Sequence, residues 1–219
     1  MNPDTASVAC DGWDGSECEG TPHCPPRCPR FVDKEGARWT VRPAVDEDEP
    51  FLAEMYERFG RGDRAQGLPP VSRRRRTDWT RKMIRDEHSV VAERDGGLFG
   101  HAMYAPTDAS VPELAVFVAP SAQDRGVGTE LCRHVIAAAA AASRDALTLR
   151  VETGNRIARS VYRSLGFKIV EHSGELIMRL DLDEPIATEV RWPPLAREGP
   201  AEPVDERRAA GSVQPSAGD

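Results

Sequence analysis

Two rhythms of apolar and polar positions run between residues 38 and 183. A period near 2 marks strands at 39–42 (Trp-Thr-Val-Arg), 89–94, 98–104, 113–118, 147–152, 167–171 and 175–182. A period near 3.6 marks helices. Residues 46–59 place Phe51, Leu52, Met55, Tyr56 and Phe59 at helical spacing, with acids in the first turn. A Gly/Pro loop then runs through Pro70, and a polar helix is expected over 72–86. Residues 126–142 predict a helix with Leu131, Val135, Ile136 and Ala139 on one side, and 155–165 predict another. Asp95-Gly96-Gly97 between two strand patterns predicts a tight hairpin turn. No internal repeat is present. The alternation of strands and helices places the chain in the α/β class.

Composition changes the picture at the two ends. Of 18 prolines, eleven fall within 1–36 and 184–219. Residues 1–36 carry seven acids and three bases, and 184–219 seven and four, leaving 22 of each between. The net charge of −7 therefore belongs to the ends, and a neutral middle argues against a nucleic-acid binder that relies on net positive charge. Residues 184–219 show no apolar period and are expected to form a disordered, acidic, Pro-rich tail. The longest unbroken apolar run, 135–142, is far short of the roughly 18 residues a membrane span needs. The first thirty residues lack the apolar stretch of a secretory leader, so a soluble cytoplasmic protein is expected.

The candidate chemistry begins at residues 113–130. Gly126 and Gly128 lie between a strand and a long helix, where small residues let a ligand approach the unpaired amides and positive end of the helix. The third glycine of a Rossmann fingerprint is replaced by Leu131, and no Gly-Lys-Ser/Thr is present for a Walker loop. The combination Gln123-x-x-Gly126-x-Gly128 after an apolar strand, followed by Asn155-Arg-Ile-Ala-Arg-Ser-Val-Tyr162-Arg-Ser-Leu-Gly166-Phe167, resembles the GNAT superfamily of acetyl-CoA-dependent N-acyltransferases. The resemblance covers about 38–183. Its second block looks most like the ribosomal-protein and protein N-terminal acetyltransferase branch, a pattern widespread in the superfamily.

The resemblance implies a mixed, mostly antiparallel sheet, with helices on both faces and a V-shaped splay between two parallel strands, 113–118 and 147–152. It further implies that Gln123, Asp124, Arg125, Gly126, Val127 and Gly128 wrap the pyrophosphate of acetyl-CoA with main-chain amides. Val116 and Val118, on a strand that carries a bulge in this family, would bond the pantetheine arm, and an N–H near Val116 would polarise the thioester carbonyl. Asn155 would touch the pantetheine, and Tyr162 would protonate the departing thiolate. The acceptor is expected to be a primary amine on a small molecule, peptide or protein, attacking directly in a ternary complex. A monomer or homodimer is expected. The alternative is a non-catalytic module that binds acetyl-CoA or metal.

A neutral amine is required for attack. Deprotonating a lysine at pH 7 costs about 4.6 kcal/mol, and an α-amine only about 1.4 kcal/mol. Glu113 is the candidate base, set against a plain exposed strand-end carboxylate, with Glu152 second. Tyr162 as acid is set against a core tyrosine. His101 is read as cleft-facing or as a half-buried structural histidine. Cys132 is read as a small core residue. Arg73 to Arg76 form either a solvated face or a gate for an acidic acceptor.

The first 36 residues form a Cys/Pro-rich arm ahead of the domain at 37–183. Cys10, Cys18, Cys24 and Cys28 are four of the five cysteines, with His23 alongside. No Cys-x-x-Cys knuckle exists. A structural zinc on Cys18, His23, Cys24 and Cys28 is one reading, a flexible arm with free thiols another, and cytoplasmic location argues against disulfides.

Overall fold

Trp39 and Val41 alternate with polar neighbours and are buried, which builds the second strand of an eight-stranded sheet. The computed structural model describes residues 18–20, 24–60, 62–64 and 68–193. The strands are β1 (Arg30–Val32), β2 (Arg38–Pro43), β3 (His88–Arg94), β4 (Gly97–Ala105), β5 (Glu113–Val118), β6 (Ala146–Glu152), β7 (Lys168–Ser173) and β8 (Glu175–Asp181). Their spatial order is β1-β2-β3-β4-β5-β6-β8-β7, and every neighbouring pair is antiparallel except β5–β6. The β3–β4 hairpin turns on Asp95 and Gly96, both at positive φ, as a two-residue loop between twisted strands requires.

Among the described residues five helices cover the faces: α1 (Glu49–Glu57), α2 (Arg73–Asp86), α3 (Val127–Ala141), α4 (Arg156–Ser164) and α5 (Pro185–Glu189). One core joins Leu131, Val135 and Ile136 of α3 to Ala102 and Leu114 of the sheet and to Tyr162 of α4. The opposite core joins Leu52, Met55 and Tyr56 of α1 and Met83 of α2 to Val91, Met103 and Phe117. This is the mixed, mostly antiparallel sheet with helices on both faces that the sequence implies.

Several expectations need correction. The helix expected over 46–59 opens as a 3-10 turn, Asp46–Asp48, and Phe51, assigned to its apolar face, is 51% exposed. The fold also begins earlier than residue 37. Residues 30–32 add β1 to the sheet edge, too short between Pro29 and Asp33 to show a period.

Arg27, assigned to a separate arm, is buried. Its guanidinium donates to both carboxylate oxygens of Glu130 on α3, at 2.6 and 3.0 Å, and to the Val190 carbonyl at 2.6 Å. Burial pushes the Glu130 carboxyl up, but Arg27, with His134 and Arg133 adding to it, holds it below its ordinary value. The tail expected from Glu184 likewise starts as structure. Pro185 opens α5, and Ala187 and Val190 are buried against the main core because they can cover α3. Residues 194–219 lie outside the described residues.

Candidate active site

β5 and β6 run parallel and pair at Glu113↔Thr148, with the Thr148 N–H donating to the Pro112 carbonyl at 3.0 Å. Beyond that pair they part. β5 stays in register with β4 as far as Gly100↔Val118, while β6 stays with β8 as far as Glu152↔Glu175. The result is a V that opens toward the C-terminal ends of both strands. The bulge expected on β5 is absent. Leu114, Val116 and Val118 face the α3 core and Ala115 and Phe117 the α1 core without a break in alternation.

The open edge of β5 has a defined polarity. The Ala119 N–H donates to the Phe99 carbonyl of β4 at 2.8 Å, so odd-numbered residues exchange hydrogen bonds with β4. The main-chain groups of Val116 and Val118 therefore point into the gap. Consistently, the Val118 carbonyl accepts the Gln123 side-chain amide at 3.2 Å.

The strand leads through a 3-10 turn, Pro120–Ala122, into the loop before α3. Asp124 lies at φ 60° and Gly126, the N-cap, at φ 96°. The first helical bond runs from the Glu130 N–H to the Gly126 carbonyl, so the amides of Val127, Gly128 and Thr129 precede the helical ladder and remain for an anion. A Cβ on Gly128 would lie 3.3 Å from Val118 Cγ2, so a glycine keeps the loop close to the strand. The donor set and the gap fit a phosphate-bearing thioester laid along β5.

Side chains in the loop do other work. Gln123 bonds Asp63, in the connection between α1 and α2, at 2.8 Å. Arg125 turns away from the helix end onto Asp33, at 2.6 Å, and Glu35, at 3.0 Å.

Tyr162 is buried on α4 and meets Phe167 edge-on at 6.0 Å. Burial raises its phenol pKa well above the ordinary value, with the Cys132 thiol adding to the effect, so it stays protonated. Cys132 is buried and pushed up to about 12 by burial, an inert core thiol as expected. Glu113 is half-exposed at the closed end of the V, 3.6 Å from Arg150. Glu152 is exposed at the open end, about 13 Å along β6 from the Glu113↔Thr148 pair. Asn155 caps α4, its Oδ1 accepting the Ala158 N–H at 3.0 Å, so any further contact falls to its amide nitrogen.

His101 is fully buried rather than half-buried or cleft-facing. It sits between the Tyr56 and Ser89 hydroxyls, and burial pushes its pKa down to about 3. Arg73, Arg74 and Arg75 are exposed, but Arg76 is buried and pairs with Glu57 at 3.1 Å. Among the described residues no three metal-ligating side chains converge. Cys18, Cys24 and Cys28 form no such group, and His23 and Cys10 lie outside the described residues. Zinc therefore finds no support.

Sequence reading missed Asp33 and Lys34. The Asp33-Lys-Glu-Gly36 turn signal was there, but it was absorbed into the arm.

The sequence profile described as the Acetyltransferase (GNAT) family matches residues 43–167, more than half the chain. The chain belongs to the GNAT acetyltransferase family. The GNAT domain of S. lividans PAT is 21% identical, covering 70% of this chain and 96% of its own, with a TM-score of 0.62. A ribosomal-protein-alanine N-acetyltransferase from Brucella melitensis is 26% identical, covering 65% and 99%, with a TM-score of 0.55. The putative acetyltransferase yncA of Salmonella typhimurium, solved with its cofactor acetyl-CoA, is 22% identical, covering 67% and 95%, with a TM-score of 0.56. No curated protein sequence matches significantly. Among the described residues no helix is long and apolar enough to cross a membrane.

Proposed function

We propose that the chain is an N-acetyltransferase that moves the acetyl group of acetyl-CoA to a primary amine by direct attack in a ternary complex. The observation that carries this reading is the V between β5 and β6, whose open edge runs from the Val116 and Val118 main chain into the Gly126 cap of α3. Relatives solved with acetyl-CoA, such as yncA, support the donor.

Acetyl-CoA supplies an activated acyl group as a thioester. Val127 and Gly128 would hold its pyrophosphate with main-chain N–H groups, and Val116 and Val118 would hold the pantetheine arm. An N–H on the open edge of β5 would stabilise charge on the carbonyl oxygen as the amine nitrogen bonds to carbon. The carbon–sulfur bond then breaks, and Tyr162 gives its proton to the thiolate, a role suited to a phenol that burial keeps neutral. Glu113 would take the amine proton through water, because it stands at the closed end of the V.

Thiol release from acetyl-CoA against a panel of amines and peptides, with product masses, tests this. Acetylated product and stoichiometric thiol are expected. Acetyl-CoA binding without product from any acceptor would favour a sensing module instead.

A further inference from the structure

The turn between β1 and β2, residues 33–37, lies ahead of the segment that matches the family, yet it grips the loop at the start of α3 in two places. The Lys34 N–H donates to the Arg125 carbonyl at 3.1 Å. The Arg125 guanidinium binds Asp33 Oδ2 through Nε at 2.7 Å and through its terminal nitrogen at 2.6 Å. Asp33 is itself fixed, with a fully buried side chain. Its Oδ1 accepts the Glu35 and Ala37 N–H groups, each at 2.9 Å, and Oδ2 accepts the Trp39 indole at 2.7 Å.

The peptide between Arg125 and Gly126 is planar and trans, so its C=O and N–H point in opposite directions. With the carbonyl held by Lys34, the Gly126 N–H is turned away from the β1–β2 turn, and the peptide that caps α3 is fixed in orientation. Lys34 Cε also lies 4.0 Å from the position of a Cβ on Gly126, which puts a cation beside the same loop.

We infer that Asp33, acting through Arg125, is a positioning residue for the phosphates of acetyl-CoA, and that the β1–β2 turn is part of the donor site. The inference rests on the proposed donor. It also makes a signed claim. Removing the Asp33 charge frees a cation near a phosphate, and by Coulomb attraction alone that would tighten binding. If the brace sets the loop, binding weakens instead. Weakening is expected because two Arg125 nitrogens hold Asp33 at short range, and an Arg125 freed from Asp33 still has Glu35 to neutralise it.

The test is calorimetric binding of two probes, acetyl-CoA and S-acetylpantetheine, which lacks the nucleotide and its pyrophosphate. Asp33→Asn and Arg125→Gln should each weaken acetyl-CoA about tenfold, the size of one charge-assisted hydrogen bond lost. The double variant should be no worse than either single one, and S-acetylpantetheine should be unaffected. Arg125→Gln keeps the test open if the buried Asp33 variant folds poorly, since Asp33 retains its indole and amide donors. Unchanged or tighter acetyl-CoA binding in Asp33→Asn, or equal weakening of both probes, overturns the brace alone. A wild-type chain that binds no acetyl-CoA overturns the donor reading and the brace with it.

Discussion

Replacing Arg27 by alanine should cost more stability than any substitution in the sheet's polar edges. Arg27 and Glu130 are 5% and 6% exposed at their side chains, so neither charge has water to fall back on. Truncation leaves the Glu130 carboxylate with Arg133 at 3.4 Å, which is itself half in solvent, and with His134 at 3.6 Å. It also strips the Val190 carbonyl of its 2.6 Å donor. Breaking one side of a buried pair costs about 3–5 kcal/mol. For a chain of this size that is a fall of about 6–20 °C in melting temperature. Denaturant unfolding at pH 7 reads the loss directly.

The pH dependence gives a second check. Glu130 has a depressed folded pKa, so its contribution is present above its ordinary value of 4.5 and is lost as pH falls through the folded value. The penalty of Arg27→Ala should therefore shrink as pH falls, because without Arg27 burial pushes the Glu130 carboxyl up and the variant takes its proton first. A double replacement, Arg27→Met with Glu130→Met, should recover most of the loss, since a buried pair rarely outperforms apolar packing. A loss under about 1 kcal/mol at pH 7, the scale of an exposed pair, would refute the reasoning.

Four further outcomes are expected. His101 has a folded pKa near 3 against 6.5, so the unfolded chain takes up its proton first; stability falls by about 1.4 kcal/mol per pH unit below pH 6, and His101→Gln should flatten that slope. Tyr162→Phe should lower kcat at least tenfold with little change in the acetyl-CoA KM, and an unchanged kcat would remove it as the acid. Gly128→Glu sets a side chain 3.3 Å from Val118 Cγ2 and an anion at the helix end, and should abolish the thermal shift with acetyl-CoA. Glu113→Gln should lose most activity at low pH and regain part of it as the amine deprotonates by itself; an unchanged pH–rate profile would exclude it as the base.

What the sequence disclosed follows from what periodicity can carry. Strands and helices between 38 and 183 were legible because one face of each meets a core, as Leu131, Val135 and Ile136 show on α3. The glycines at 126 and 128 were legible because a positive φ and a close approach admit few other residues. Partners distant in the chain were not. Nothing local marks Arg27 as the partner of Glu130, or Asp33 as the partner of Arg125, since a buried charge looks like a surface charge until its counterion is placed. The structural reading of His101 holds, but its full burial was not legible, since the hydroxyls that satisfy it come from α1 and β3. The β5 bulge was expected from the resemblance rather than from the residues, and the even alternation of 114–118 does without it.

The contact of Arg27 with the Val190 carbonyl also says something about topology. The segments on either side of the fold run together, with Gly20 close enough to Pro193 that an added Cβ would lie 3.2 Å from its ring. Spatially, then, the chain between these residues is close to a closed ring, sealed by one arginine. A short link between residues 20 and 193, with new ends cut at the exposed Asp95–Gly96 hairpin, would preserve every strand pairing of the sheet. Such a permuted chain makes the order of the elements a matter of where synthesis begins, and leaves the V between β5 and β6 where it stands.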